Sequence, residues 1–186
     1  MKRKILLLGG SAQQIVAIET AKRLGYETVV CDFLPDNPGQ HHADRFYLVS
    51  TTDKDAVLEV ACKEQVDGVL AYASDPAAPT AAYVAERLGL PGNPYWAVDL
   101  LCNKDKFRAF LAENGFCTPK AKGYRSVEEA YADLMAGEFR FPVIVKPVDS
   151  SGSKGVGRID TIDQAHQAID YAMSFSRDKR IIVEDY

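Results

Sequence analysis

The sequence predicts an α/β chain: a mostly parallel, doubly wound sheet in the first half, then a small α+β unit. Two observations predict this. From the N-terminus, short apolar runs alternate with amphipathic stretches at helical spacing, the rhythm of βαβ units. After Leu90-Pro91-Gly92-Asn93-Pro94 the rhythm changes, and strands joined by tight glycine loops are interleaved with helices. Domains are therefore expected over residues 1–95 and 96–186, with no internal repeat and no low-complexity segment.

Each element has its own signal. Lys4–Leu8 is a continuous apolar run, as a parallel strand covered on both faces should be, and it ends in Gly9-Gly10-Ser11. Gln13–Leu24 carries Ile15, Ile18, Ala21 and Leu24 at helical spacing, with Gly25 as a stop. Glu27–Asp32 and Arg45–Val49 read as strands, Asp53–Glu64 as an amphipathic helix, Gly68–Ala73 as a fourth strand, and Ala77–Leu88 as a helix stopped by Gly89. In the second half Asn103–Gly115 reads as a helix, Ala121–Tyr124 as a strand, and Ser126–Ala136 as a helix whose first turn suits Ser126, Glu128 and Glu129. Strands are expected at Phe141–Val148, Gly155–Ile159 and Arg180–Glu184, with a helix over Thr161–Ser174. The last apolar run reaches Tyr186 without a cap or polar tail, which reads as a chain cut rather than finished.

Composition narrows the class. With 186 residues, 47% of them hydrophobic, the chain can build a core without disulfide or metal staples. A net charge of −4 lacks the basic field of a nucleic-acid binder, but says nothing against small anions. Cys31, Cys62, Cys102 and Cys117 form no CxxC pair and lie at no zinc spacing to histidine, as expected of a reducing cytoplasm. The apolar run after the basic N-terminus is too short for a signal peptide, and no stretch approaches membrane-spanning length. A cytoplasmic protein without membrane association is expected. His41-His42-Ala43-Asp44 has no matching ligand cluster, so no metal site is assigned.

The chemistry concentrates in residues 142–157. An apolar strand delivers Lys146, and a loop of small residues follows: Ser150, Ser151, Gly152, Ser153, Lys154 and Gly155. Small residues let backbone N–H groups approach phosphate oxygens, and flanking lysines supply charge. At seven residues from Asp149 to Gly155 the loop exceeds an ordinary hairpin connection, so a phosphate cover is favoured over a plain turn. Lys104 and Lys106 open a helix whose dipole opposes them; either this is a solvated face, or one of them reaches an anionic ligand.

The first half offers weaker signals. Gly9, Gly10 and Ser11 precede a helix N-terminus, and Asp32 lies 22 residues after Gly10, which outlines part of a dinucleotide site. The later glycines of that fingerprint are missing, and no Walker A motif occurs. A tight turn and a small-substrate pocket at the strand ends remain as readings. Asp75 could hold a substrate amine, although a helix cap before Pro76 is favoured.

Together the segments resemble the ATP-grasp superfamily. Asn103-Lys104, the helix stop Gly115 and Thr118-Pro119 are similar to the segment whose lysine or arginine touches ATP phosphate in that family. Phe141-Pro142-Val143-Ile144-Val145-Lys146-Pro147 is similar to its nucleotide-contacting lysine strand, Asp149–Gly155 to its mobile flap, and Ile181–Tyr186 to its hinge strand. Residues 1–92 resemble the Rossmann-like preATP-grasp domain, and Ala85–Asn93 resembles the carbamoyl-phosphate-synthase-like and biotin-carboxylase-like branches. The resemblance implies the first part of a carboxylate–amine or carboxylate–thiol ligase working through an acylphosphate. Lys104, Lys146 and the flap would hold ATP phosphates, and Glu184 and Asp185 would offer backbone groups to adenine. Mg²⁺ ligands and the catalytic residues are expected in a further lobe after Tyr186, so none is assigned here, and the piece alone is expected to be inactive. Implied partners are a small carboxylate and a nucleophile, with homodimer formation open. The flap here is richer in serine than the all-glycine versions. Competing readings are a non-catalytic binding module and, less favoured, a dinucleotide-dependent oxidoreductase.

Overall fold

A computed structural model describes residues 2–186. The chain divides into two compact units, one running to Asp99 and the other spanning Leu100–Tyr186. In the first, β1 (Lys4–Leu8), β2 (Glu27–Asp32), β3 (Arg45–Leu48) and β4 (Gly68–Leu70) form a parallel sheet in the order β3-β2-β1-β4. Three helices accompany it: α1 (Ile15–Arg23), α2 (Lys54–Glu64) and α3 (Ala78–Leu88). The unbroken apolar run of β1 has its reason here. Leu6 and Leu8 enter a core with Val29, Cys31, Val57 and Val84, while Leu7 points the other way, to Ile18, Ala21 and Val30. Both faces are covered, so alternation is absent. Fully burying each such leucine contributes about 1.5–3 kcal/mol.

The second unit obeys a different rule. After α4 (Tyr95–Cys102) and α5 (Lys104–Glu113) come β5 (Ala121–Tyr124), α6 (Val127–Met135), β6 (Val143–Pro147), β7 (Gly157–Ile159), α7 (Ala165–Phe175) and β8 (Ile181–Asp185). The sheet is antiparallel in the order β5-β8-β6-β7. Tyr124, Val143, Val145, Ile159, Ile181 and Val183 form one core with Ala130 and Leu134 of α6 and Ile169 and Ala172 of α7. Because side chains alternate along a strand, Ile144, Lys146, Ile182 and Glu184 lie on the opposite face.

The architecture is the α/β arrangement expected, with three local differences. The helix α4 falls between the break at Leu90–Pro94 and the helix expected from Asn103, where no element was expected; the Pro94 carbonyl accepts the Ala97 and Val98 N–H groups, so Pro94 ends the loop and opens a helix. The strand β4 stops at Leu70 instead of Ala73, and Ala73 takes φ 50. The helix expected from Thr161 begins as a 3₁₀ turn at Ile162–Gln164. Among the described residues no helix is long and apolar enough to cross a membrane.

Candidate functional site

The open face of the antiparallel sheet carries a half-buried cluster of ionic groups around one buried carboxylate. The strand β6 delivers Lys146, whose side chain is 18% exposed, and β8 delivers Glu184, at 4%. Antiparallel register sets Ile144 opposite Glu184 and Lys146 opposite Ile182, so the two charged side chains are diagonal neighbours on one face. They form an ion pair, and Arg108 of α5 places Nε 2.8 Å from the other Glu184 oxygen. One carboxylate thus neutralises two cations where solvent is scarce. Burial, then the neighbouring Arg108 and Lys104, hold the Lys146 ammonium below the ordinary lysine range.

Glu184, expected to offer backbone groups to adenine, lies in an interior strand of the sheet. Its residue is paired in both ladders, opposite Ala121 of β5 and Ile144 of β6. In an interior antiparallel strand the ladders take up the backbone N–H and C=O. What Glu184 presents is its carboxylate. The Asp185 N–H donates to the Lys120 carbonyl at 2.9 Å, so that donor too is spent inside the sheet.

The small-residue loop sits beside this cluster. Lys104 Nζ donates to the carbonyls of Ser150 (2.7 Å) and Val148 (3.3 Å), which brings Lys104 to the loop's root. Within the loop Ser150 Oγ donates to the Lys154 carbonyl at 2.9 Å. Gly152 and Ser153 take φ 67 and 56. Gly155 is buried, and a Cβ there would lie 2.7 Å from Pro147 Cγ and 2.9 Å from Phe175 Cβ. Ser151, Gly152, Ser153 and Lys154 are exposed. The structure therefore gathers Lys104, Lys146 and Ser150 at one end of the sheet and leaves the loop tip outward. Arg108, one turn after Lys104 on the same helix face, is the group that sequence reasoning missed; its i, i+4 spacing from Lys104 was the available signal.

The first unit's strand ends are largely self-satisfied. The Gly10 N–H donates to Asp32 Oδ2 at 2.7 Å, and the Ser11 N–H and Oγ donate to Gln14 Oε1 at 3.0 and 2.9 Å. Gln14 Nε2 in turn donates to the carbonyls of Leu8 and Tyr72 at 3.2 and 3.0 Å, tying the β1 turn to the β4 loop. Gly9 takes φ 109, and the tight turn is its purpose. The backbone donors expected to meet an anion at Gly9, Gly10 and Ser11 are consumed internally, and Asp32 braces the turn instead of facing a ribose. For Asp75 it is the helix-cap reading that does not hold. Ser74 occupies the cap position of the 3₁₀ turn Asp75–Ala77, no side chain caps it, and the Asp75 carboxylate is exposed. His42 pairs with Glu19 at 2.5 Å.

An α/β unit with a strand-end loop set, followed by an antiparallel lobe with a lysine strand and a small-residue flap, defines a class of nucleotide-using ligase folds. The chain belongs to the ATP-grasp superfamily. The family model of the ATP-grasp N-terminal domain matches residues 18–92, and that of the D-ala D-ala ligase C-terminus matches residues 109–186. Formate-dependent phosphoribosylglycinamide formyltransferase of Erythrobacter litoralis is 32% identical over 98% of this chain and 47% of its own length. The chain thus spans about half the length of the curated relatives it matches. The L-amino acid ligase of Bacillus licheniformis shares the fold at a TM-score of 0.72 and 23% identity, over 100% of this chain and 44% of that one. The biotin carboxylase domain dimer of Hydrogenobacter thermophilus 2-oxoglutarate carboxylase, solved with MgADP, ADP and bicarbonate, does so at 0.67 and 19%, over 100% and 44%.

Proposed function

We propose that this chain supplies the nucleotide-phosphate site of an ATP-dependent carboxylate–amine ligase. The observation that carries the reading is the pair of cations Lys146 and Arg108 on Glu184, with a third, Lys104, at the root of the neighbouring small-residue loop. Phosphoryl transfer asks mainly for positioning and charge neutralisation. Lys104 and Lys146 would neutralise phosphate oxygens, and the N–H groups of Ser150–Gly155 would fold over them and exclude water. Arg108 keeps Glu184 from pairing with Lys146 alone, leaving the ammonium available to a stronger anion. When bound, ATP would pass its γ-phosphoryl group to a substrate carboxylate. The carboxylate oxygen forms the new P–O bond, and ADP leaves. An amine would then form a C–N bond at the acyl carbon, expelling phosphate and losing a proton.

The formyltransferase relative names formate as its dependence and phosphoribosylglycinamide as its acceptor. A small carboxylate and an amine of that kind are the substrates we assign to the whole protein. The exposed Asp75 carboxylate is the group we assign to an amine. Mg²⁺ is a different matter: among the described residues no three His, Cys, Asp or Glu side chains come together to hold a metal.

Titration calorimetry with ATP tests the reading. Lys146→Ala should weaken binding about 10–100-fold, as expected from losing one charge-assisted contact. Unchanged affinity removes Lys146 from the site, and tight NAD binding without ATP binding overturns the reading as a whole.

A further inference from the structure

Arg180 lies just before β8, is 9% exposed, and has no part in the chemistry above. Its guanidinium reaches back to the start of α5. One terminal nitrogen donates to Asp105 Oδ2 at 2.5 Å, and the other to Asn103 Oδ1 at 2.7 Å and Asp178 Oδ2 at 3.2 Å. Asn103 and Asp105 are the two chain neighbours of Lys104. The Arg180 backbone faces elsewhere. Its N–H donates to Ser176 Oγ at 2.9 Å, and its carbonyl accepts the Val148 N–H at 3.2 Å. Val148 is the last buried residue before the loop, and its carbonyl accepts both the backbone N–H (3.2 Å) and Nζ (3.3 Å) of Lys104. The contacts close a ring: Arg180 side chain to Asn103 and Asp105, through Lys104 to Val148, and back to the Arg180 carbonyl.

We propose that Arg180 is a positioning residue of the phosphate site, setting where Lys104 stands against the root of the flap. The inference rests on reading the site as a nucleotide-phosphate site. Its physical need is plain. A cation in the first turn of a helix is opposed by the helix dipole, so Lys104 is poorly held by α5 itself. A planar guanidinium can grip two acceptors on either side of that residue at once, and its fork fixes both distances and angles. A lysine at the same place keeps the charge and loses the fork. The effect of Arg180 on a nucleotide should therefore pass through Lys104.

A double-mutant cycle on the full-length protein, read as ATP affinity by calorimetry, tests this. Arg180→Lys and Lys104→Ala should each weaken ATP binding about tenfold, and the double variant should be no weaker than Lys104→Ala alone. A residue that only stabilised the fold would lower the melting temperature without this non-additivity. Arg180→Lys binding ATP as the parent does, or losses that multiply in the double variant, would overturn the inference. Should Arg180→Lys fail to fold, Asp105→Asn takes its place in the cycle, with the guanidinium left intact and the same outcomes expected. Absence of ATP binding in the parent overturns the site reading and this inference together; binding in the parent that the variants leave unchanged overturns the inference alone.

Discussion

Lys146 and Glu184 show what a residue's surroundings decide. The lysine's ammonium is destabilised first by burial and then by Arg108 and Lys104, so it releases its proton at a lower pH than a free lysine. Phosphate binding requires the protonated form. ATP affinity should accordingly fall on the alkaline side earlier than an ordinary lysine dictates, and Lys146→Arg should move that fall upward. Affinities measured from about pH 7 to about pH 10 check this, and a flat profile for the parent contradicts it. Glu184→Gln leaves two half-buried cations, Lys146 and Arg108, without their shared counter-charge. It should cost about 3–5 kcal/mol in urea unfolding, the range for breaking a buried pair from one side. Lys104 and Lys146 were legible in the sequence because each sits in a recognisable local segment. The role of the Glu184 side chain was not, because it depends on a strand register joining residues 40 positions apart.

At the scale of elements, apolar runs and glycine stops marked most strands and helices within a residue or two, since those signals are local. The misses are places where a neighbour decides. The helix α4 has a short apolar stretch behind two prolines, and β4 ends at Leu70, three residues before Ala73 turns left-handed. The turn at Gly9–Ser11 looked like an anion site because its residue types suit one; only the long-range partner Asp32 and the side chain of Gln14 reveal that its donors are taken. The loop between β6 and β7 yields a test at this scale. Gly155 combines φ 75 with contacts too close for a Cβ. Gly155→Ala should destabilise the protein by about 1–3 kcal/mol and disturb the loop's packing on Pro147 and Phe175, read by thermal melting. A melting temperature equal to the parent's would show that the close approach is not required.

On the scale of the whole molecule, each unit has its own core and its own sheet logic: parallel and covered on both faces in one, antiparallel and covered on one face in the other. The division into two kinds of sheet was readable from the change in rhythm after Pro94. In the first unit one buried acid, Glu64 of α2, ties its helix to strands β1 and β3, accepting from Tyr47 at 2.5 Å, Arg45 at 2.8 Å and Lys4 at 3.2 Å. Burial pushes its carboxyl upward, and the Tyr47, Arg45 and Lys4 contacts more than offset this, leaving it below the usual glutamate range. Its contribution is then present above the ordinary glutamate value and lost as pH falls through the lowered one. Glu64→Gln should cost about 1–3 kcal/mol at neutral pH and lessen the loss of stability on acidification, seen in urea melts at about pH 7 and about pH 3. Parent and variant falling in parallel with pH would refute this. In the second unit, the hold on Val148 at both its N–H and its carbonyl has a mechanical consequence. The hold extends to Asp149 and Ser150, so with that end anchored and Gly155 wedged at the other, only the exposed residues 151–154 are left to swing, about the line joining the two anchors, like the handle of a bucket. The sweep of such a handle is set by its span, so lengthening the loop should widen its arc without loosening either pivot.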